Sequence, residues 1–367
     1  MRAVTICVVI VAHALLAFMV TPVGWAVRDD ARHVGVDAAV WMVRAFAMPT
    51  FFWLAGYLGR ATVARGGLRG FLRERLGRVA LPLAVALVPV SLALNWLWDL
   101  AREHQGGRAA AAAQAPALRA SELPVTLGHL WFLYYLLVIA GVALVVVVAW
   151  RRLAPRRLRT LRPRALTVLA AALVTGVLAA IGKLQPDTPL SFLPEPLIAA
   201  YFGVFFAWGW WAHARGDDLA REARQTWLHA AVAAALLAIL VPALRRSVAP
   251  GAGAPPVLAL AASAGFTCTV LAALVGACTR WLARSRPAIR FVSDAAFWAY
   301  VVHLPVVVLL QLGCADLAWP GPLEAALVSA GALAFSLLTF AGVRTVWRAA
   351  RRPAAGTPSR TPRADRS

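Results

Sequence analysis

Residues 1–13 read MRAVTICVVIVAH, with ten mostly apolar residues between Arg2 and His13. Two readings of this stretch compete, and the choice decides the fold. A basic residue, an apolar run and a small residue at Ala26 would suit a cleaved secretion signal. Such a signal needs no histidine in its apolar run. A permanent span keeps an ionisable residue where it faces the interior of a helix bundle. The stretch therefore reads as the first of several membrane spans.

The rest of the chain agrees. Of its 367 residues 61% are hydrophobic and 14% charged, where an ordinary soluble domain carries about 25% charged residues. Mean hydropathy is +0.71. One soluble core cannot hold that excess. A span takes about 20 apolar residues, and ten stretches qualify: 3–20, 40–58, 79–98, 129–150, 165–182, 195–213, 227–243, 256–277, 291–312 and 322–343. The expected fold is an all-α polytopic bundle of about ten transmembrane helices. It comprises a transmembrane domain over 1–345 and a Pro/Ser/Arg-rich tail over 346–367, expected to be disordered.

The net charge of +21 does not indicate a nucleic-acid partner, because the arginines cluster in short segments between apolar runs. With Arg2 placed in the cytoplasm, 28 of the basic residues fall on cytoplasmic segments and 8 on outer loops. That bias predicts both termini in the cytoplasm. The alanine- and arginine-heavy composition suits a GC-rich bacterial genome, and the expected location is a bacterial cytoplasmic (inner) membrane, crossed many times. Cys7, Cys268, Cys278 and Cys314 lie in or beside apolar runs without ligand spacing, so neither a disulfide nor a metal site is expected.

The informative residues are those that do not belong in lipid. His13 follows Arg2 by eleven positions, which at about 100° and 1.5 Å per residue puts both on one helix face about 16 Å apart. Arg2 then sits at the cytoplasmic surface and His13 near the midplane. His303, in FWAYVVHLPVVVLL, lies about as deep in a span of the same direction, with Tyr300 one turn earlier on the same face. On spacing alone, a packing histidine and a functional one both fit each position. His129, opening GHLWFLYYLLV, reads as an interfacial anchor at the outer surface beside Trp131, Tyr134 and Tyr135. In RAFAMPTFFWLAGYLG, Pro49 and Gly56 break helical regularity, which is tolerated where freed backbone faces protein or a cavity. Arg44 lies near the outer end of that span, after Asp37. In the next loop, RGGLRGFLRERLGRVALP, Arg75 and Arg78 fall on one face of a short helix. Paired guanidiniums suit a phosphorylated ligand, although setting topology or touching lipid headgroups would use them equally well.

Taken in order, these residues resemble the acyltransferase family 3 membrane proteins. Arg2 and His13 match the family's Arg, ten residues, His pattern in the first span. FFWLAGYL at Phe51–Leu58 matches its second-span stretch. Arg75 and Arg78 match its R-x-x-R pair, followed by the usual proline, Pro82. HLWFL at His129–Leu133 and the Tyr-x-x-His of Tyr300 and His303 complete the set. The versions here look most like the branch that includes glucan succinyltransferases. One departure is that only Met1 precedes Arg2, where members usually have several residues, often with an aspartate.

The resemblance implies transfer of an acyl group, acetyl or succinyl, from cytoplasmic acyl-CoA (acetyl-CoA or succinyl-CoA) to a hydroxyl of an extracytoplasmic glycan or glycolipid, with membrane lipids around the bundle. It implies that Arg2, Arg75 and Arg78 hold the CoA phosphates. His13 then acts as the base, a role its near-neutral pKa suits, and Tyr300 and His303 position the acceptor or stabilise the oxyanion. A succinyl group would need a cation for its second carboxylate. Arg44 is a candidate, with Asp37 placed to neutralise it. The alternative function is a transporter exporting a glycan or lipid-linked intermediate, which buried ionisable residues also suit.

Overall fold

The computed structural model describes residues 1–105, 125–153, 163–214, 218–247, 251, 253–282, 286–317 and 319–350. Most of the long loop over 99–128, expected on the outer side, the middle of the arginine-rich segment 151–164 and the part of the expected tail beyond residue 350 lie outside the described residues. Within them the chain forms ten α-helices and no strand: α1 (Arg2–Leu15), α2 (Val34–Arg75), α3 (Leu81–Gln105), α4 (Trp131–Leu153), α5 (Pro163–Ile181), α6 (Pro196–His213), α7 (Asp218–Ser247), α8 (Val257–Trp281), α9 (Pro287–Cys314) and α10 (Gly321–Ala350). Among the described residues, six stretches are long and apolar enough to cross a membrane: Val34–His104, Gly128–Trp150, Leu219–Ser247, Val257–Trp281, Pro287–Cys314 and Gly321–Arg348. Arg2–Phe18 and Leu166–Ile181 are shorter apolar helices. Together they make a multi-pass membrane protein.

Each candidate stretch overlaps one helix, but the ends differ for local reasons. Proline at the first turn starts α6 and α9, where its missing N–H costs nothing. The first helix stops earlier than expected. After a 3₁₀ turn at Leu16–Phe18 the chain becomes extended at Met19. The Asp37 carboxylate then accepts from the Val20 and Thr21 N–H groups at 2.8 and 2.9 Å and from the Thr21 hydroxyl at 2.5 Å. These bonds draw the chain away from the α1 axis. Trp25, Ala26 and Val27 are consequently buried in the main core.

The second span corrects the expectation of a break at Pro49 and Gly56. The helix runs through both, and its one non-helical residue is Gly67, at φ 64°, ψ −169°. A left-handed φ there is cheap only for glycine. After it, residues 68–75 fold back on the end of the span. The Thr62 hydroxyl donates to Glu74, and Arg75 Nη2 donates to the Ala55 carbonyl at 2.9 Å. A π-helical turn over Leu76–Ala80 leads into α3. Gly56 serves contact rather than a kink. A Cβ placed on it would lie 1.9 Å from the Phe206 carbonyl oxygen of α6, and one on Gly209 would lie 1.9 Å from that of Trp53. Small residues at a crossing let two helix backbones meet, which is how helices gain packing energy where no hydrophobic effect drives them together.

Among the six membrane-length stretches, those of α8 and α9 are the most enclosed by protein, 56% buried against 17% for those of α7 and α10. Helix α1 packs against α2, α9 and α10, and α9 also packs against α3. This neighbourhood sets the face of α1 bearing His13 against the face of α9 bearing His303.

Candidate active site

His13 sits in the last turn of α1, partly buried. Its Nδ1 lies 2.9 Å from the Val9 carbonyl and 3.3 Å from Nε2 of His303. His303 is wholly buried, and its Nδ1 lies 3.0 and 2.8 Å from the carbonyls of Ala299 and Tyr300. Carbonyls only accept, so these partners assign the protons. Each ring carries its hydrogen on Nδ1, and Nε2 of His303 is a lone pair facing the His13 N–H. Nε2 of His13 is thereby left as the unprotonated, basic nitrogen. The rings meet edge to face with centroids 5.0 Å apart.

A third imidazole completes the cluster. His129 was expected at the outer surface as an anchor, but it is 7% exposed, with its ring centroid 5.3 Å from that of His303. Its Nε2 donates to the Val301 carbonyl at 3.1 Å, and its own carbonyl accepts from the Tyr300 hydroxyl. The reason is the 3₁₀ turn Gly128–Leu130, which carries the chain into the bundle before α4 begins. The Nδ1 of His129 is buried without a hydrogen-bond partner among the described residues. An unmet buried acceptor costs on the order of 1–3 kcal/mol, a cost that a substrate hydroxyl could offset. The Tyr300 hydroxyl is thus engaged by the His129 carbonyl and ties that turn to α9.

Over the cluster lie residues with no motif to mark them. The Trp25 ring stands 5.8 Å from His13 and 5.4 Å from Trp98, centroid to centroid. Its Nε1 donates to Gln311 Oε1 at 2.8 Å, and Gln311 Nε2 donates to the Ala14 carbonyl at 2.9 Å. Gln311 thus ties the returning loop to the end of α1, beside His13. A lone amide inside VVVLLQLGC was the available signal, since a buried amide needs partners.

At the far end of α1, Arg2 is exposed, with no carboxylate at ion-pair distance among the described residues. It lies within electrostatic range of Arg78, Glu74, Asp294 and Arg75. The structure therefore brings the three arginines to one end of the bundle but gives them different surroundings. Arg78 extends outward, its side chain 78% exposed, bonded to Glu74 Oε1 at 2.8 Å. Arg75 turns inward onto Phe71, its guanidinium carbon 5.0 Å from the ring centroid, and onto the Ala55 carbonyl.

The arrangement can do general-base chemistry. A basic nitrogen is held in one tautomer by a second imidazole, at the end of a helix whose other end carries cations. Comparison with known proteins adds one finding: a family model described as an acyltransferase domain matches residues 1–341. No curated protein and no solved structure matches the chain.

Proposed function

The chain belongs to acyltransferase family 3 and is an enzyme that transfers acyl groups, and from that premise we propose that it moves an acetyl or succinyl group from cytoplasmic acyl-CoA to a hydroxyl of an extracytoplasmic glycan or glycolipid. The proposed setting is a bacterial cytoplasmic membrane crossed about ten times, with both termini in the cytoplasm. The observation that carries the reading is the pairing of His13 with His303 on the helix that bears Arg2 eleven residues away. Arg2 and Arg78 bind the donor's phosphates, and Arg75 braces the segment that presents Arg78. His13 Nε2 takes the proton of the acceptor hydroxyl as its oxygen attacks the thioester carbonyl. The carbon–oxygen bond forms, the carbon–sulfur bond breaks, and the imidazolium returns the proton to the departing CoA thiolate. The positive charge that develops on His13 strengthens its Nδ1–H bond to His303, whose own proton the Ala299 and Tyr300 carbonyls fix. His303 is thus a positioning residue that also spreads charge.

The test is CoA release from acyl-CoA by membranes containing His13→Ala or His303→Ala variants at matched protein levels. His13→Ala abolishes turnover. His303→Ala lowers kcat by on the order of a hundredfold with little change in KM for the donor, within the usual range for a general base. Undiminished turnover by His13→Ala sinks the mechanism.

A further inference from the structure

Arg44 stands well inside α2, and its surroundings differ from those the sequence suggested. It keeps accessible surface, yet its guanidinium is crowded by surrounding protein, and its Nη2 makes a long, part-buried hydrogen bond to the Pro186 carbonyl at 3.5 Å. Asp37, placed by sequence to neutralise it, instead spends both carboxylate oxygens on Val20 and Thr21. Asp187 lies within electrostatic range but is ion-paired with Lys183. Among the described residues no carboxylate lies at ion-pair distance from Arg44.

Its depth follows from helix arithmetic. Arg75 bonds the carbonyl of Ala55 and lies within electrostatic range of Arg2, which sets Ala55 toward the Arg2 end of α1. From Ala55, α2 runs eleven residues back to Arg44. From Arg2, α1 runs eleven residues forward to His13. Both paths climb about 16 Å, so Arg44 arrives at the level of His13 on a helix packed against α1. The field of its charge reaches His13. A cation at membrane depth is costly, and such residues mark substrate paths. A guanidinium also presents a planar fork that matches carboxylate and phosphate.

We infer that Arg44 binds an anionic group, carboxylate or phosphate, of a substrate lying at His13. The first source is the terminal carboxylate of a dicarboxylic acyl group, and the second is an anion on the acceptor. The inference rests on the acyl-transfer reading and narrows its substrate class. The experiment compares CoA release from succinyl-CoA and acetyl-CoA by membranes containing the full chain, as wild type, Arg44→Ala and Arg44→Lys. If the donor carries the anion, Arg44→Ala lowers kcat/KM for succinyl-CoA by about tenfold or more, as loss of a charge-assisted bond does. Acetyl-CoA turnover stays unchanged, and Arg44→Lys recovers part of the loss. If the acceptor carries it, both donors lose activity by the same factor, and Arg44→Lys again recovers part. Unchanged kinetics with both donors in an active Arg44→Ala protein overturn the inference and leave acyl transfer standing. So does an equal loss with both donors that Arg44→Lys does not relieve, since that marks structural damage. A wild type that consumes neither donor overturns the acyl-transfer reading itself, and the inference with it.

Discussion

Arg75 and Arg78 are three residues apart and chemically identical, yet their surroundings predict opposite phenotypes. Arg78 is bound by an exposed ion pair to Glu74, a kind that contributes at most about 1 kcal/mol. It can release Glu74 for a phosphate at little cost. Arg75 satisfies the Ala55 carbonyl twenty residues upstream and covers Phe71. Removing it leaves a hole beneath the returning segment. Arg78→Ala should therefore raise the KM for acyl-CoA several-fold with normal protein levels in the membrane. Arg75→Ala should lower those levels, and immunoblotting beside donor titration separates the two. The i, i+3 spacing was legible in RLGR. What it could not show is that Gly67 turns the segment back, so that one arginine points at the span it came from. The same limit applies to His129. HLWFL was conspicuous, but its place at the start of a span put it at the surface, because nothing in the local sequence says that the turn at Gly128–Leu130 carries the chain into the bundle.

Between elements, the crossing of α2 and α6 offers a sharper test of packing. Gly56 and Gly209 each lie against a carbonyl of the opposite helix, so the two helices touch backbone to backbone at two points. Even a methyl group at either position must push the helices apart, an overpacking error that typically costs about 1–3 kcal/mol. Gly203, also on α6, has open space where a Cβ would stand, with no neighbouring atom within 4 Å, and supplies the control. Gly56→Ala and Gly209→Ala should lower the thermal unfolding midpoint of the detergent-solubilised protein by several degrees, while Gly203→Ala should hold or raise it, since alanine is the better helix former. A proline and a glycine in one apolar run invite the reading of a kink. Hydropathy and periodicity locate a helix, but they carry no record of which neighbour it meets. The glycine's purpose became visible only with its partner in place.

At the scale of the whole molecule, the apolar runs and the arginine bias were the easiest features to read, because hydropathy and charge act through composition alone. The convergence of α1 and α9, the loop that carries Trp25 and the turn that carries His129 onto the cluster around His303 depend on tertiary contacts between residues far apart in sequence. Those contacts leave the cluster of imidazoles between two ends of unlike character. Arg2, Arg75 and Arg78 gather at one end, while the returning loop from Met19 and the turn at Gly128–Leu130 close over the histidines from the other. A donor as large and charged as acyl-CoA can meet the arginines only from their own side, since no phosphate crosses the apolar bundle without cost. If the arginine-rich end faces the cytoplasm, inverted membrane vesicles, which expose that face, should release CoA from added acyl-CoA. Sealed right-side-out vesicles should do so only after permeabilisation. Equal activity in both intact preparations would mean that the donor reaches His13 from the other end, and the arginines would then have to be reassigned to topology.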